Sequence, residues 1–182
     1  MVTSLFTQEA VLNVLKTKDI QIFNQLLKGG LGPHTLLKKV TGWSDMPLIF
    51  ATTYFHFEPA TLILLSQNSF LGQTYLKQSL LEFMVEQNQL QSFTLFLKQG
   101  LHPQKDLEQT FWQIIRLHFK NPVTAKSFFQ QLFSNQFSLF SVMEDLKKRN
   151  LDMIIPILLS YYDETVLQNL SLSEKDKTQK RL

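Results

Sequence analysis

Cysteine is absent from the 182 residues, which excludes disulfides, thiolate metal sites and a cysteine nucleophile, and removes the main sequence sign of an oxidising compartment. Long apolar runs are absent too. The most apolar late stretch, MIIPILLSYY from Met153 to Tyr162, is far shorter than the roughly 20 residues of a membrane helix and contains Pro156. The opening MVTSLFTQEAVL has no basic start followed by a continuous apolar run, so no signal peptide is expected, and a reducing, cytoplasmic setting is the expectation. Glycine is scarce, with six residues. Its richest stretch, KGGLGPH from Lys28, follows an apolar periodic segment and reads as a helix end with its loop; phosphate loops precede a helix instead. A nucleophile elbow and a His-Glu-x-x-His pair are both missing.

What is present is a chain rich in core-forming residues. Hydrophobic residues make up 44% of it and charged ones 18%, and sixteen are Phe. A chain of this length buries about 70% of its unfolded surface, enough for a substantial core. Apolar residues recur at three- and four-residue spacing, strand-like alternation is scarce, and the fold class is all-α. The net charge of +3 is concentrated in the tail SEKDKTQKRL, which has four basic and two acidic residues. The body is close to neutral, so the basic pI does not by itself argue for nucleic acid.

The helical segments repeat. MPLIFATTYFHFEPATLILLSQN from Met46 and SLLEFMVEQNQLQSFTLFLKQGL from Ser79 align at an offset of 33, which sets Leu48 on Leu81, Phe50 on Phe83, Leu62 on Leu95 and Leu64 on Leu97. EAVLNVLKTKDIQIFNQLLKGGL from Glu9 fits the same frame, with Leu26, Leu27 and Gly30 falling on Phe96, Leu97 and Gly100. Each unit reads as a short helix, a tight turn, a longer helix and a loop. Two looser pairs follow. One combines 106–119, with Asp106 as a cap, and 121–133, opened by Asn121 and Pro122. The other begins at Ser141, where Ser141 and Glu144 have capping-box spacing, and continues through LDMIIPILLSYY. The segment DETVLQNLSL reads as one more short helix.

This pattern resembles the ankyrin repeat, whose 33-residue unit opens its first helix with Thr-Pro-Leu-His-x-Ala. Pro47, Leu48 and Ala51 match that signature. His56, Glu58 and Leu64 match the family's second helix, and LLKGG and FLKQG match its end. The resemblance spans about residues 9–162 as roughly five units and implies a solenoid over 1–172, followed by a disordered basic tail over 173–182. Several family features are missing. The Thr position holds Glu9, Met46 or Ser79, so the family's Thr-to-His hydrogen-bond network has no partners. The Gly between the helices becomes Lys18, Phe55 or Asn88, of which Asn88 best tolerates positive φ. With only four Ala in the chain, irregular spacing, shortened hairpin loops and a distorted stack are expected.

The resemblance further implies a non-enzymatic protein-binding scaffold, an adaptor or inhibitor, that grips a partner through a concave face of loop tips and first helices. The family's variable contact positions fall on Trp43, Asp45, Thr53 and Tyr54 in the second unit and on Tyr75, Gln78, Glu86 and Gln87 in the third. Trp43 and Tyr54 are the aromatic anchors of that set. Small Cys-free ankyrin-like proteins rich in Gln, Phe and Lys resemble effectors that intracellular bacteria deliver into host cells. Degenerate ankyrin proteins of large DNA viruses look similar. The resemblance therefore implies a host protein or a companion effector as partner, and no cofactor or metal.

Two other classes compete. A small enzyme would gather its site at helix ends, joining His118 to carboxylates with a shifted pKa. His34, His56, His102 and His118 are otherwise scattered, without metal-ligand spacing. The carboxylate pairs Glu144/Asp145 and Asp163/Glu164 are expected at helix starts, where they meet the helix dipole. A nucleic-acid binder would extend Lys147, Lys148 and Arg149 into a wider basic face. LKKRN and the tail are the only basic clusters legible in the chain.

Overall fold

A computed structural model describes residues 6–42, 44–67, 73–100, 104–135 and 137–166. It is mostly helical. The chain divides into two compact units, Met1–Asp106 and Leu107–Leu182.

The first unit contains three helix pairs: α1 (Gln8–Thr17) with α2 (Ile20–Lys28), α3 (Leu48–Tyr54) with α4 (Glu58–Ser66), and α5 (Leu80–Glu86) with α6 (Leu90–Gln99). Local chemistry sets their ends. Thr7 accepts from the Ala10 amide to open α1, and the Asp19 carboxylate accepts from Gln21 and Ile22 at the start of α2. Ser79 and Glu82 form a reciprocal capping box on α5. Gly100 (φ 65°) closes α6, and Gly30 (φ 98°) follows the Gly29 cap of α2. Both adopt the left-handed conformation expected of the matched LLKGG and FLKQG ends.

Antiparallel two-residue strands precede the second and third pairs: β1 (Leu36–Leu37) with β2 (Met46–Pro47), and β3 (Thr74–Tyr75) with β4 (Gln78–Ser79). The loops differ sharply. Residues 38–45 link the first hairpin, whereas Leu76 (φ 51°) and Lys77 (φ 66°) alone turn the second. Two successive positive φ values form the tight turn that suits strand twist, and Asn-Gly is its natural occupant. We expect Leu76→Asn/Lys77→Gly to stabilise the protein by about 1–2 kcal/mol, by relieving left-handed strain at two residues with side chains. Urea denaturation checks this, and an unchanged midpoint would show that the turn is not strained.

The recurrence of the second and third pairs is 32 residues: α3 and α5, α4 and α6, and β2 and β4 all begin 32 apart. The expected 33-residue offset is therefore off by one between these pairs. The cause is burial. Residues 48–53 and 80, 81 and 83–85 are all buried, so apolar matching cannot separate two registers one residue apart. The turns can. Lys18 (φ 56°), His56 (φ 51°) and Asn88 (φ 55°) occupy the left-handed position between helices. Lys18 and Asn88 are the expected residues, and His56 takes the place assigned to Phe55. The second helices of the first and third pairs keep the 70-residue offset: α2 and α6 begin 70 apart, and Leu26 and Phe96 are both buried.

The core of this unit is aromatic and aliphatic. Phe23 meets Phe57 edge to face (5.5 Å), and Phe50 meets Phe83 in the same way (5.3 Å). Helix α2 packs on α4, α4 on α6 and α3 on α5. In place of the absent Thr-to-His network, three other ties connect the elements. Thr61 donates to Thr52 (3.0 Å) with both side chains fully buried. Gln8 pairs with the Lys38 backbone as both donor (2.9 Å) and acceptor (2.8 Å), which fastens α1 to the first hairpin loop. Gln89 reaches from the α5–α6 turn to the end of α3, donating to the Thr53 carbonyl at 2.7 Å.

The second unit is built from α7 (Gln104–His118, beginning just before the boundary), α8 (Pro122–Ser134), α9 (Met143–Lys148) and α10 over residues 155–166. Asn121 caps α8 by accepting from Thr124, with Pro122 in the first turn, as expected. Asp106 lies in the first turn of α7, because the helix starts two residues before it. The capping box expected at Ser141 does not form. Leu139–Val142 is a 3₁₀ turn in which the Ser141 hydroxyl donates to the Ser138 carbonyl (2.7 Å), and α9 starts without a side-chain cap. Asp163 and Glu164 lie within α10 instead of opening a helix. Glu164 pairs there with Lys126 of α8 at 2.7 Å. The core is a Phe cluster: Phe111, Phe128, Phe129 and Phe137 are fully or almost fully buried.

Candidate partner-binding face

The solvent-facing end of the first helices is where the expected contact residues can be located. Tyr54, the last residue of α3, is 38% exposed, its ring edge to face with Phe55. Glu86, the last residue of α5, is its counterpart 32 residues on and is exposed as well. Glu86 accepts from the Gln78 side chain at 2.7 Å, which braces the second hairpin against α5. Gln87 is half-buried as the cap of α5, and Asp45 is exposed at the end of the first hairpin loop. Tyr54, Gln78, Glu86, Gln87 and Asp45 are therefore on the accessible surface of this unit.

Two of the expected contact residues are not. Thr53 is fully buried and donates to the Ile49 carbonyl (3.0 Å). Its true counterpart is Val85, also buried, so the one-residue slip in the aligned register explains the error. Tyr75 is 3% exposed. Its ring packs on Phe50 and Phe83 (5.9 Å each), and its hydroxyl lies 2.7 Å from the Thr41 hydroxyl. That ring is a core residue whose polar end fixes the first hairpin loop to the second hairpin. Trp43 lies outside the described residues, and of the two expected aromatic anchors Tyr54 is the one described on this surface.

The residues of the competing readings are placed as follows. The His118 ring lies beside Phe119 (6.0 Å) and Tyr161 (6.4 Å), and its Nδ1 is buried without a hydrogen-bond partner. Burial holds its pKa below the ordinary value of 6.5; a neighbouring carboxylate would have raised it. The folded state therefore resists a proton that the unfolded chain accepts as pH falls below about 6.5. Stability from this group is full above that value and declines with further acidification. We expect His118→Leu to flatten the stability profile between about pH 7 and 5, as read by urea denaturation at each pH. An unchanged profile would assign the acid sensitivity elsewhere.

Arg149 stacks over the Trp112 ring at 4.2 Å, and Lys148 pairs with Asp145 at 3.5 Å. Two of the three cations near Lys147 are thus engaged within their own unit. Glu144 and Asp145 lie in the first turn of α9, as expected. Among the described residues no group of three or more His, Cys, Asp or Glu could hold a metal, and no helix is long and apolar enough to cross a membrane. His102 lies outside them.

One feature was hidden in the sequence. Lys39 (φ 49°) and Lys77 (φ 66°) occupy corresponding places just after β1 and β3. The signal available was a lysine two residues past each of these strands, Lys39 and Lys77, in segments that give no basic run long enough to stand out. Comparison with known proteins finds no match: no family model, no characterised protein and no solved structure is significantly similar to the chain.

Proposed function

We propose that the chain is a non-catalytic protein-binding scaffold, an adaptor or inhibitor of ankyrin-like type, whose first unit grips another protein through its hairpins and first-helix ends. The observation that carries this reading is the placement of Tyr54 and the Gln78–Glu86 pair. Tyr54 and Glu86 sit exposed at helix ends related by the 32-residue recurrence, on helices that pack directly against each other, and the half-buried Gln78 of β4 braces Glu86. Side chains exposed at matching positions of adjacent elements are what a repeat scaffold offers to a partner. A tyrosine supplies large contact area at low entropic cost, the usual property of a binding anchor.

The test is affinity capture from lysates with partner identification by mass spectrometry, comparing the wild type with Tyr54→Ala/Glu86→Ala. Circular dichroism first establishes that the variant folds. Truncating a hot-spot tyrosine together with its neighbour is expected to weaken binding of a specific partner by about 30-fold or more, corresponding to at least about 2 kcal/mol. A partner captured equally by both forms would place the interface elsewhere.

A further inference from the structure

We infer that the hairpin edge of the first unit binds an acidic, leucine-rich segment of a partner protein; this rests on the scaffold reading above and names the chemistry of its partner. The inference starts from backbone conformation. Lys39 and Lys77 are both in the left-handed region, where a residue with a β-carbon is disfavoured and glycine or asparagine is the ordinary choice. The positions correspond: Lys39 follows β1 by two residues, and Lys77 follows β3 by two residues. The same costly choice made twice, at one place in two hairpins, is the kind of outlier from which a functional role is inferred.

The surroundings define the ligand. Lys38, Lys39 and Lys77 are exposed, and neither ion pair found among the described residues involves them. The hairpins themselves contribute one carboxylate, Asp45. The Thr41–Tyr75 hydroxyl contact joins the two hairpins, and the Gln8 side chain pins the backbone at Lys38, so the lysines are presented from a fixed base. Leu36 and Leu76 lie on the same two hairpins and are each 59% exposed. Lysines alone would suit any polyanion. Two exposed leucines set among them favour a polypeptide, because an apolar side chain gains nothing from a phosphate backbone, whose contacts are charged and polar. An acidic segment with leucines satisfies both halves of the edge, with the charges steering association and the leucines adding buried area.

The experiment uses the full chain and three labelled synthetic peptides of one leucine-bearing pattern, with Glu, Gln or Lys at the variable positions, plus a single-stranded oligonucleotide of matching charge. Binding is read by fluorescence anisotropy. The Glu peptide is expected to bind best, to weaken as salt rises from about 50 to 300 mM through screening, and to lose at least about tenfold in affinity to Lys38→Gln/Lys39→Asn/Lys77→Asn. Asparagine tolerates the left-handed conformation, so this variant keeps its fold while losing the charges. A Leu36→Ser variant is expected to weaken the Glu peptide without changing its salt dependence.

Equal affinity of the wild type and the lysine variant for the Glu peptide overturns the inference, as does preferential binding of the oligonucleotide. Binding of the Gln or Lys peptide in preference, released by Tyr54→Ala/Glu86→Ala, overturns the acidic partner while the scaffold reading stands. If no peptide binds and the lysate capture yields no partner sensitive to the Tyr54/Glu86 variant, both fall.

Discussion

Replacing Phe111 by alanine is expected to cost about 3–5 kcal/mol, the largest effect of any single substitution proposed for this protein. Phe111 is fully buried on α7 and touches three other rings: Trp112 edge to face at 5.3 Å, Phe129 tilted at 5.7 Å and Phe137 stacked at 5.4 Å. Phe133 continues the cluster, stacking on Phe129 at 5.8 Å and on Phe137 at 6.5 Å. Truncation at the centre loses the transfer energy of the ring and leaves a cavity. Rigid rings fill such a cavity poorly, because their only low-energy motions are rotations about two bonds. A domain's total stability is about 5–15 kcal/mol, so this loss takes a large part of it. Phe111→Leu keeps most of the volume and is expected to cost about 1–1.5 kcal/mol. Urea denaturation followed by circular dichroism separates the two variants. A Phe111→Ala cost below about 1 kcal/mol would mean that the cluster is not a close-packed core.

The second large effect is expected at Gln89, where Gln89→Leu should destabilise the first unit by about 1–2 kcal/mol. Gln89 is 7% exposed and stands just before α6. Its Nε2 donates to the Thr53 carbonyl at 2.7 Å and lies 3.2 Å from His56 Nδ1, while its Oε1 accepts from Ser92 at 3.4 Å. Leucine is close in volume, so packing changes little. What is lost is one of two donors to the Thr53 carbonyl, which keeps the His56 amide at 3.0 Å, together with the acceptor of the buried Ser92 hydroxyl. The carbonyl stays paired, so the loss is about the net worth of the hydrogen bonds removed. Ser92→Ala removes only the longest of the three contacts and is expected to cost under about 1 kcal/mol. Comparable losses for the two variants would show that the Gln89–Thr53 bond does not tie the helix pairs.

Gln89 also shows where reading the sequence stopped. It stood in the expected register as an unremarkable polar residue in a turn. Its burial arises because α5 and α3 pack side by side and carry the turn of one pair onto the helix end of another. The partners, Thr53 and Gln89, are 36 residues apart, and local spacing does not reveal such a meeting. The same holds for Gln8 with Lys38 and for Thr41 with Tyr75. Tyr75 was expected on the surface because the variable contact positions of the ankyrin family fall on it. The fold turned it inward, since the space between Phe50 and Phe83 accepts its ring and Thr41 meets its hydroxyl.

What the amino-acid sequence determined by itself is local. The three- and four-residue apolar spacing specified helices, because that spacing alone gathers apolar side chains on one face. Asn121 with Pro122 placed the start of α8, and the glycines after Lys28 and Gln99 placed the ends of α2 and α6, since caps depend on the few nearest backbone groups. Tertiary packing decided the register between the second and third pairs, because nearly every side of α3 and α5 is buried and neighbouring registers look alike in apolar pattern. It decided which candidate contact residues remain in solvent, leaving Tyr54 and Glu86 outside while Thr53 and Tyr75 went in. It also decided that the two hairpins meet, through the Thr41 and Tyr75 hydroxyls. Burial and proximity are properties of the folded chain: whether a side chain meets water depends on what the rest of the chain brings against it.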